Sequence, residues 1–333
     1  MRSVILKTGD GVQHALARLQ TIPLLQGLRE LGQDAAMVTL PPLNRSARLL
    51  RRAFPHATGT AAAQLQALEG ASHVFFLYNE RRSAELAREA RRRMACKAVC
   101  FASDVYGIDD YVKLAAFVDV FLAPTRWHRD VIQSAVQTPV FHVPEAVDPI
   151  ALPPGPQASE VSNANRLLWF GYPESFRKSM CHLLPAAFAQ AAFDPGRFGI
   201  ITAPSSQLLP GVAHQDFDPD SFYVRAQAFS YALLSHFCYD GSLNTIIKSP
   251  NKMVTSIVRG LVPLPSTTPA YMELAGRYGL DALAYDGPRQ LADRLRGLDF
   301  DRDRKAFGLA RIRDELLREL APARIARTVL ECL

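Results

Sequence analysis

Residues 151–164 read ALPPGPQASEVSNA, and just beyond them the chain continues Arg166-Leu-Leu-Trp-Phe170-Gly171. The first stretch is rich in Pro, Ser and Asn and carries no hydrophobic period, which is the composition of a linker. The second is an unbroken apolar run closed by glycine, the pattern of a strand buried on both faces. This junction divides the 333 residues into two halves of roughly 150 residues, each a comfortable domain size.

The same alternation runs outward in both directions. Upstream, residues 3–7 (SVILK) read as a strand, followed by a loop Thr8-Gly-Asp-Gly11. Leu16, Leu19, Ile22, Leu25 and Leu28 then recur at three-residue steps, predicting a helix closed by Gly32. Strands are expected at 35–40, 73–78, 98–102, 118–123 and 140–143, with a helix whose Leu86, Ala87, Ala90 and Met94 share one face and another from Trp127. Downstream, strands are expected at 166–170, 198–202, 231–234 and 261–264, and helices at 183–192, 251–259, 271–278 and through the tail from Asp301. Apolar strands alternating with amphipathic helices imply an α/β chain of two Rossmann-like domains facing each other across a cleft. The expected division is 1–150, a linker at 151–164, a second domain at 165–310, and a C-terminal helix at 311–333 that returns to the first domain.

Composition excludes other classes. The hydrophobic fraction of 48% and charged fraction of 21% are those of a globular chain. No apolar run approaches the roughly 18 residues of a membrane span, and the N-terminal apolar stretch is too short for a signal peptide. Five cysteines, an odd number scattered through a long chain, suggest a reducing compartment, so a cytoplasmic protein is expected. Between Arg45 and Lys97 eleven basic residues face four acidic ones. Such a stretch is either a solvated helix face or an attractor of anionic surfaces, a membrane's inner face among them. No RNA-binding aromatic motif or zinc spacing accompanies it, which argues against nucleic acid.

Ligands of open α/β sheets bind beyond the carboxyl ends of the strands, and three loops there carry chemistry. In Phe170-Gly171-Tyr-Pro-Glu-Ser-Phe-Arg177-Lys178 a glycine lets a ligand approach the backbone and two cations follow. In Ile247-Lys248-Ser-Pro-Asn251-Lys252-Met253 two lysines stand at a helix start, where acidic residues are usual, so an external anion or a neighbouring carboxylate is required. In Pro265-Ser-Thr-Thr268-Pro-Ala-Tyr271 hydroxyls cluster before a helix, as caps or as ligands.

These residues resemble the donor-binding domain of the GT-B superfamily of nucleotide-sugar glycosyltransferases, in particular the group 1 enzymes of bacterial surface polysaccharide synthesis. A family strand ending in Phe-Gly, with a phosphate-binding cation after it, is matched by Gly171, Arg177 and Lys178. A segment of the type Lys-x-x-Asn-Lys-x-x-Glu-x-x-x-x-Gly-x-Pro-Val is matched from Lys248 through Asn251, Lys252, Thr255 and Gly260 to Pro263. In the first half, Ala123-Pro-Thr-Arg-Trp-His128 and Val143-Pro-Glu-Ala-Val-Asp148 resemble the end of the acceptor domain. The resemblance implies an acceptor-binding first domain and a donor-binding second domain in which Gly171, Arg177, Lys178, Lys248, Asn251, Lys252, Thr255 and Thr268 hold the donor. It implies a nucleotide-sugar donor, a saccharide or lipid-linked acceptor, and no cofactor or metal.

One departure is clear. Many retaining members carry a Glu-x7-Glu pair whose second Glu holds the nucleotide ribose. Here those positions are Ile247 and Thr255, so neither the ribose contact nor a retaining outcome follows. An inverting reaction needs a base in the first domain. Asp104, after the strand at 98–102, and His14, after the first strand, are the candidates; Asp104 as a helix cap is the alternative. His128 and His142, beside apolar segments, read as core histidines. The leading expectation is a metal-independent glycosyltransferase in which cations and helix dipoles stabilise the departing diphosphate. A nucleotide-sugar epimerase on the same frame and a non-catalytic nucleotide-sugar-binding subunit are the alternatives.

Overall fold

The computed structural model describes residues 2–8, 15–40, 64–103, 107–153, 161–162, 164–203, 208–236 and 243–333. It divides into two compact units, Met1–Ala146 with Ala321–Leu333, and Val147–Leu320.

The first unit is built on a six-stranded parallel sheet. Its strands are β1 (Arg2–Thr8), β2 (Asp34–Leu40), β3 (His73–Leu77), β4 (Lys97–Phe101), β5 (Val120–Ala123) and β6 (Val140–His142), in the order β2-β1-β3-β4-β5-β6. The central β3 has all five residues buried, as an apolar run covered by helices on both faces must be. The first helix runs from Ala15 to Glu30 with a wider π turn at Ala17–Thr21. Its buried stripe passes through Ala17, Leu24, Gly27 and Leu28, while Ile22 and Leu25 are only half-buried. The expected three-residue face is therefore corrected: steps of three drift around a helix of 3.6 residues per turn.

The second unit holds a five-stranded parallel sheet. Its strands are β7 (Leu167–Gly171), β8 (Phe198–Thr202), β9 (Ala213–Asp216), β10 (Tyr231–Leu234) and β11 (Val262–Pro265), in the order β11-β10-β7-β8-β9. Trp169, Tyr231, Tyr271 and Tyr285 are the largest side chains fully enclosed in its core. The edge strand β9 was absent from the sequence reading because Ala-His-Gln-Asp has neither apolar continuity nor alternation.

Both expected boundaries shift. The chain joins the second unit at Val147, because Ile150 and Ala151 are buried in its core and the Asp148 carboxylate accepts the Ile150 N–H at 3.2 Å. At the other end the helix Leu309–Glu319 stays with the second unit, where Ile312 and Leu316 complete the core and Glu319 pairs with Arg277. Only the last helix, Pro322–Glu331, belongs with the first unit. It crosses the first helix so closely that a Cβ at Gly27 would run into the Pro322 carbonyl. Gly308 at φ +60° and Pro322 break the tail into three helices, so its apolar stripe is shared between the units.

Candidate functional site

The order of the second sheet locates the site. The chain enters at β7, builds β8 and β9 on one side, then returns to place β10 and β11 on the other. Between β7 and β10 the connections diverge, and their carboxyl ends leave the opening where α/β sheets bind ligands. Gly171 ends β7; Ser235 and His236 follow β10; the helix Asn251–Arg259 comes after the short helix Leu243–Ile247.

Lys252, in the first turn of that helix, reaches back to the end of β7. A Cβ added at Gly171, whose φ is +153°, would lie 2.6 Å from Lys252 Nζ and 3.0 Å from the Trp169 ring. Only glycine permits both that backbone conformation and that approach. The ammonium lies 5.1 Å from the Trp169 ring centre and 6.0 Å from that of Phe170, where ring faces supply part of the negative potential a cation needs. Among the described residues no carboxylate meets it. Burial, and next the charge of Lys248, push its pKa down to about 8. The helix start is uncapped: Pro250 precedes it, no side chain caps it, and its first turn contains no acidic residue. A half-buried cation beside uncapped helix N–H groups is a seat for an anion.

Neutral groups complete the surroundings. His236 is nine-tenths buried and stacks on Tyr271 with ring centres 4.9 Å apart. Burial, then the charges of Lys252 and Lys248, hold its pKa well below the ordinary histidine value, so the ring is neutral at pH 7. Its Nε2 is buried and has no partner among the described residues. Behind Lys252, Trp169 Nε1 donates to Ser235 Oγ at 3.4 Å, and Ser235 Oγ meets Ser179 Oγ at 2.7 Å. Thr202 at the end of β8 donates to the Gly171 carbonyl at 2.7 Å, which holds the glycine in place. Gly171, Thr202 and Ser235, at the ends of β7, β8 and β10, thus gather around one cation.

The sequence-derived residues distribute unevenly about this point. Gly171 and Lys252 are brought together, and Lys248 lies near enough to depress both Lys252 and His236. Asn251 opens the helix, and Thr255 is buried one turn beyond Lys252. Thr268 occupies the N-cap position of the helix Pro269–Tyr278 without capping it; its hydroxyl meets Ser266 Oγ at 2.8 Å instead. Arg177 and Lys178 lie exposed in the last turn of the helix Pro173–Ser179, with Arg177 3.6 Å from Glu174. His14 and Asp104 lie outside the described residues. His236 and Trp169 were not singled out from the sequence. The rule that chemistry follows strand ends was a sufficient signal for His236, which comes two residues after β10.

In the first unit, His128 is a core histidine as expected, 3.2 Å from Tyr111 Oη. The basic helix Arg81–Arg93 carries its charges outward in ion pairs: Arg91 grips Asp119 bidentately at 2.9 Å, and Arg92 and Arg93 share Glu89. Of the remaining basic stretch, Arg45, Arg48, Arg51 and Arg52 lie outside the described residues. Among the described residues no three His, Cys, Asp or Glu side chains form a metal cluster, and no helix is long and apolar enough to cross a membrane.

No family model and no curated protein sequence matches the chain. Solved structures do. HepE of Anabaena, in complex with UDP, matches over 100% of this chain and 99% of its own, at 12% identity and a TM-score of 0.68. A DNA-modifying β-glucosyltransferase, studied with and without uridine diphosphoglucose, matches over 99% of both chains at 11% identity and a TM-score of 0.56. UDP-GlcNAc 2-epimerase from Methanocaldococcus jannaschii matches over 99% of this chain and 100% of its own, at 9% identity and a TM-score of 0.56. At these identities the likeness establishes the fold: the chain has the GT-B architecture of two Rossmann-like domains.

Proposed function

We propose that the protein transfers a sugar from a nucleoside diphosphate sugar to a saccharide or lipid-linked acceptor, and that the donor diphosphate sits on Lys252. One observation carries this: a half-buried ammonium without an anionic partner among the described residues, held against Gly171 where the second sheet's connections diverge. Glycosyl transfer leaves a nucleoside diphosphate with growing negative charge. Lys252, Lys248 and the uncapped N–H groups of Asn251–Arg259 supply fixed positive potential there without reorganisation in the transition state. That set needs no metal ion to neutralise the leaving group, so activity in excess chelator is the expected result. The unpartnered Nε2 of His236 faces the same group of charges and suits a hydroxyl of the donor. Deprotonation of the acceptor hydroxyl falls to Asp104 or His14; Asp104→Asn and His14→Ala decide between them by which one removes transfer while leaving donor binding intact.

The fold match to a protein crystallised with UDP makes UDP the first probe. Calorimetric titration of UDP into the wild-type chain tests the proposal, followed by transfer assays with UDP-sugars. Absence of binding for UDP and for the other common nucleoside diphosphates would end it. The epimerase shares the fold at the same TM-score as the glucosyltransferase, which sustains a second reading. An epimerase converts the nucleotide-sugar with no acceptor added, whereas a transferase releases nucleoside diphosphate in proportion to glycosylated acceptor.

A further inference from the structure

A second positive site stands apart from Lys252. The second unit holds a half-open cavity of about 230 Å³ lined by Arg259, Arg304 and Arg313 and walled by Tyr223 and Leu309, with no carboxylate among the described residues of its lining. That volume far exceeds the roughly 10–15 Å³ a single water requires. The three arginines come from three helices: Arg259 ends Asn251–Arg259, Arg304 lies in the last turn of Phe300–Ala306, and Arg313 belongs to Leu309–Glu319.

Arg259 is buried and fixed: its Nε donates to the Tyr223 carbonyl at 2.9 Å and its guanidinium lies 4.0 Å over the Tyr223 ring. Arg313 Nε is buried and finds no acceptor among the described residues. Arg304 is exposed and makes no ion pair among them. Burial first, and then the nearby charge of Arg313, lower the pKa of Arg259. The helix dipole explains an arginine at position 259, but it does not explain two more brought beside it by other helices. Like charges gathered at a partly buried site are unfavourable unless an anion enters.

We propose that this cavity binds a phosphate group, as inorganic phosphate or as the phosphate of a small phosphomonoester. Guanidinium forks match phosphate oxygens in pairs, and the Tyr223 and Leu309 walls leave apolar contact for an ester's organic part. The site is distinct from the donor site: Arg259 stands seven residues beyond Lys252, a rise of about 10 Å along the helix.

The test is calorimetric titration of inorganic phosphate and of phenyl phosphate at constant ionic strength. The proteins are the wild type, Arg304→Gln/Arg313→Gln and Lys252→Met. Arg259 is left intact because it is packed into the fold. Loss of two charge-assisted contacts should weaken binding by about ten- to a hundredfold in the double variant. Lys252→Met should keep wild-type affinity for the preferred probe, while the double variant keeps wild-type affinity for UDP. Phosphate preferred over its phenyl ester identifies the free ion as the ligand; the reverse identifies an ester. Wild-type protein that binds neither probe overturns the proposal. So does a double variant that binds both as the wild type does, or phosphate binding lost with Lys252 and retained without Arg304 and Arg313.

Discussion

The arginine helix of the first unit and the lysine helix of the second are both basic, yet only one is arranged as a site. On Arg81–Arg93 the exposed Arg91, Arg92 and Arg93 have carboxylate partners in Asp119 and Glu89. Glu89 is held down to about 2 mainly by its hydrogen bonds with Arg92 and Arg93. On Asn251–Arg259 the half-buried Lys252 has aromatic rings and a second lysine beside it and, among the described residues, no carboxylate. In the first arrangement carboxylates of the chain answer the cations; in the second, none of the described residues does. Charge density along a sequence does not separate them. Burial without a counter-charge does.

The sharpest way to break this contrast is to delete the cation at Lys252. Lys252→Met should weaken UDP binding by about 1.5–3 kcal/mol, the scale of a charge-assisted contact, in calorimetric titrations against the wild type. Arg92→Ala, an exposed and paired cation, should leave UDP affinity unchanged. Equal losses in the two variants would mean that general positive charge, not the placed ammonium, attracts the nucleotide.

Gly171→Ala comes next. Its left-handed backbone and the 2.6 Å approach to Nζ should cost about 1–3 kcal/mol in stability, read from denaturant unfolding, and should push Lys252 off its seat so that UDP affinity falls too. An alanine variant with wild-type stability and affinity would remove the close approach from the account.

pH sharpens the same point. The free Lys252 has a pKa of about 8, and a bound diphosphate must raise it, because an opposite charge favours the protonated form. UDP affinity should therefore hold steady below pH 8 and fall above it, with protons taken up on binding near pH 8. Calorimetry in buffers of different ionisation enthalpy reads that uptake directly; an affinity flat from pH 7 to 9 would assign the anion to another group. The smallest effect is expected at Arg92 and Arg93: replacing both with alanine should change stability by no more than about 1 kcal/mol, as for solvent-exposed pairs.

Much of the fold was legible because strands such as His73–Leu77 and Leu167–Gly171 are apolar throughout and helices separate them. The polar edge strand Ala213–Asp216 was not, since none of its four residues is buried and their pattern carries no signature. The passage of the tail between units at Ala321 was not legible either, because one continuous apolar stripe serves two cores. In the site, Lys252 could be found from the sequence, as lysine at a helix start contradicts the dipole. Arg177 and Lys178 were placed with it by proximity to Gly171 along the chain, but six and seven residues of turn and helix carry them to the opposite end of Pro173–Ser179. His236 was within reach of the rule that chemistry follows strand ends, and the strand order, which puts β10 beside β7, gives it its place.

The central claim is that Lys252 is kept at a cost to the fold because a ligand needs it. Its folded pKa of about 8 lies below the ordinary 10.5, so protonation favours the unfolded chain. The penalty is full below pH 8 and fades as pH rises toward the unfolded value. Denaturant unfolding of ligand-free Lys252→Met beside the wild type measures it. The account predicts a variant more stable by about 1–3 kcal/mol at pH 7, with the gain shrinking between pH 8 and 10.5. A variant less stable than the wild type at pH 7 would show that the ammonium is satisfied within the protein, and would contradict the claim.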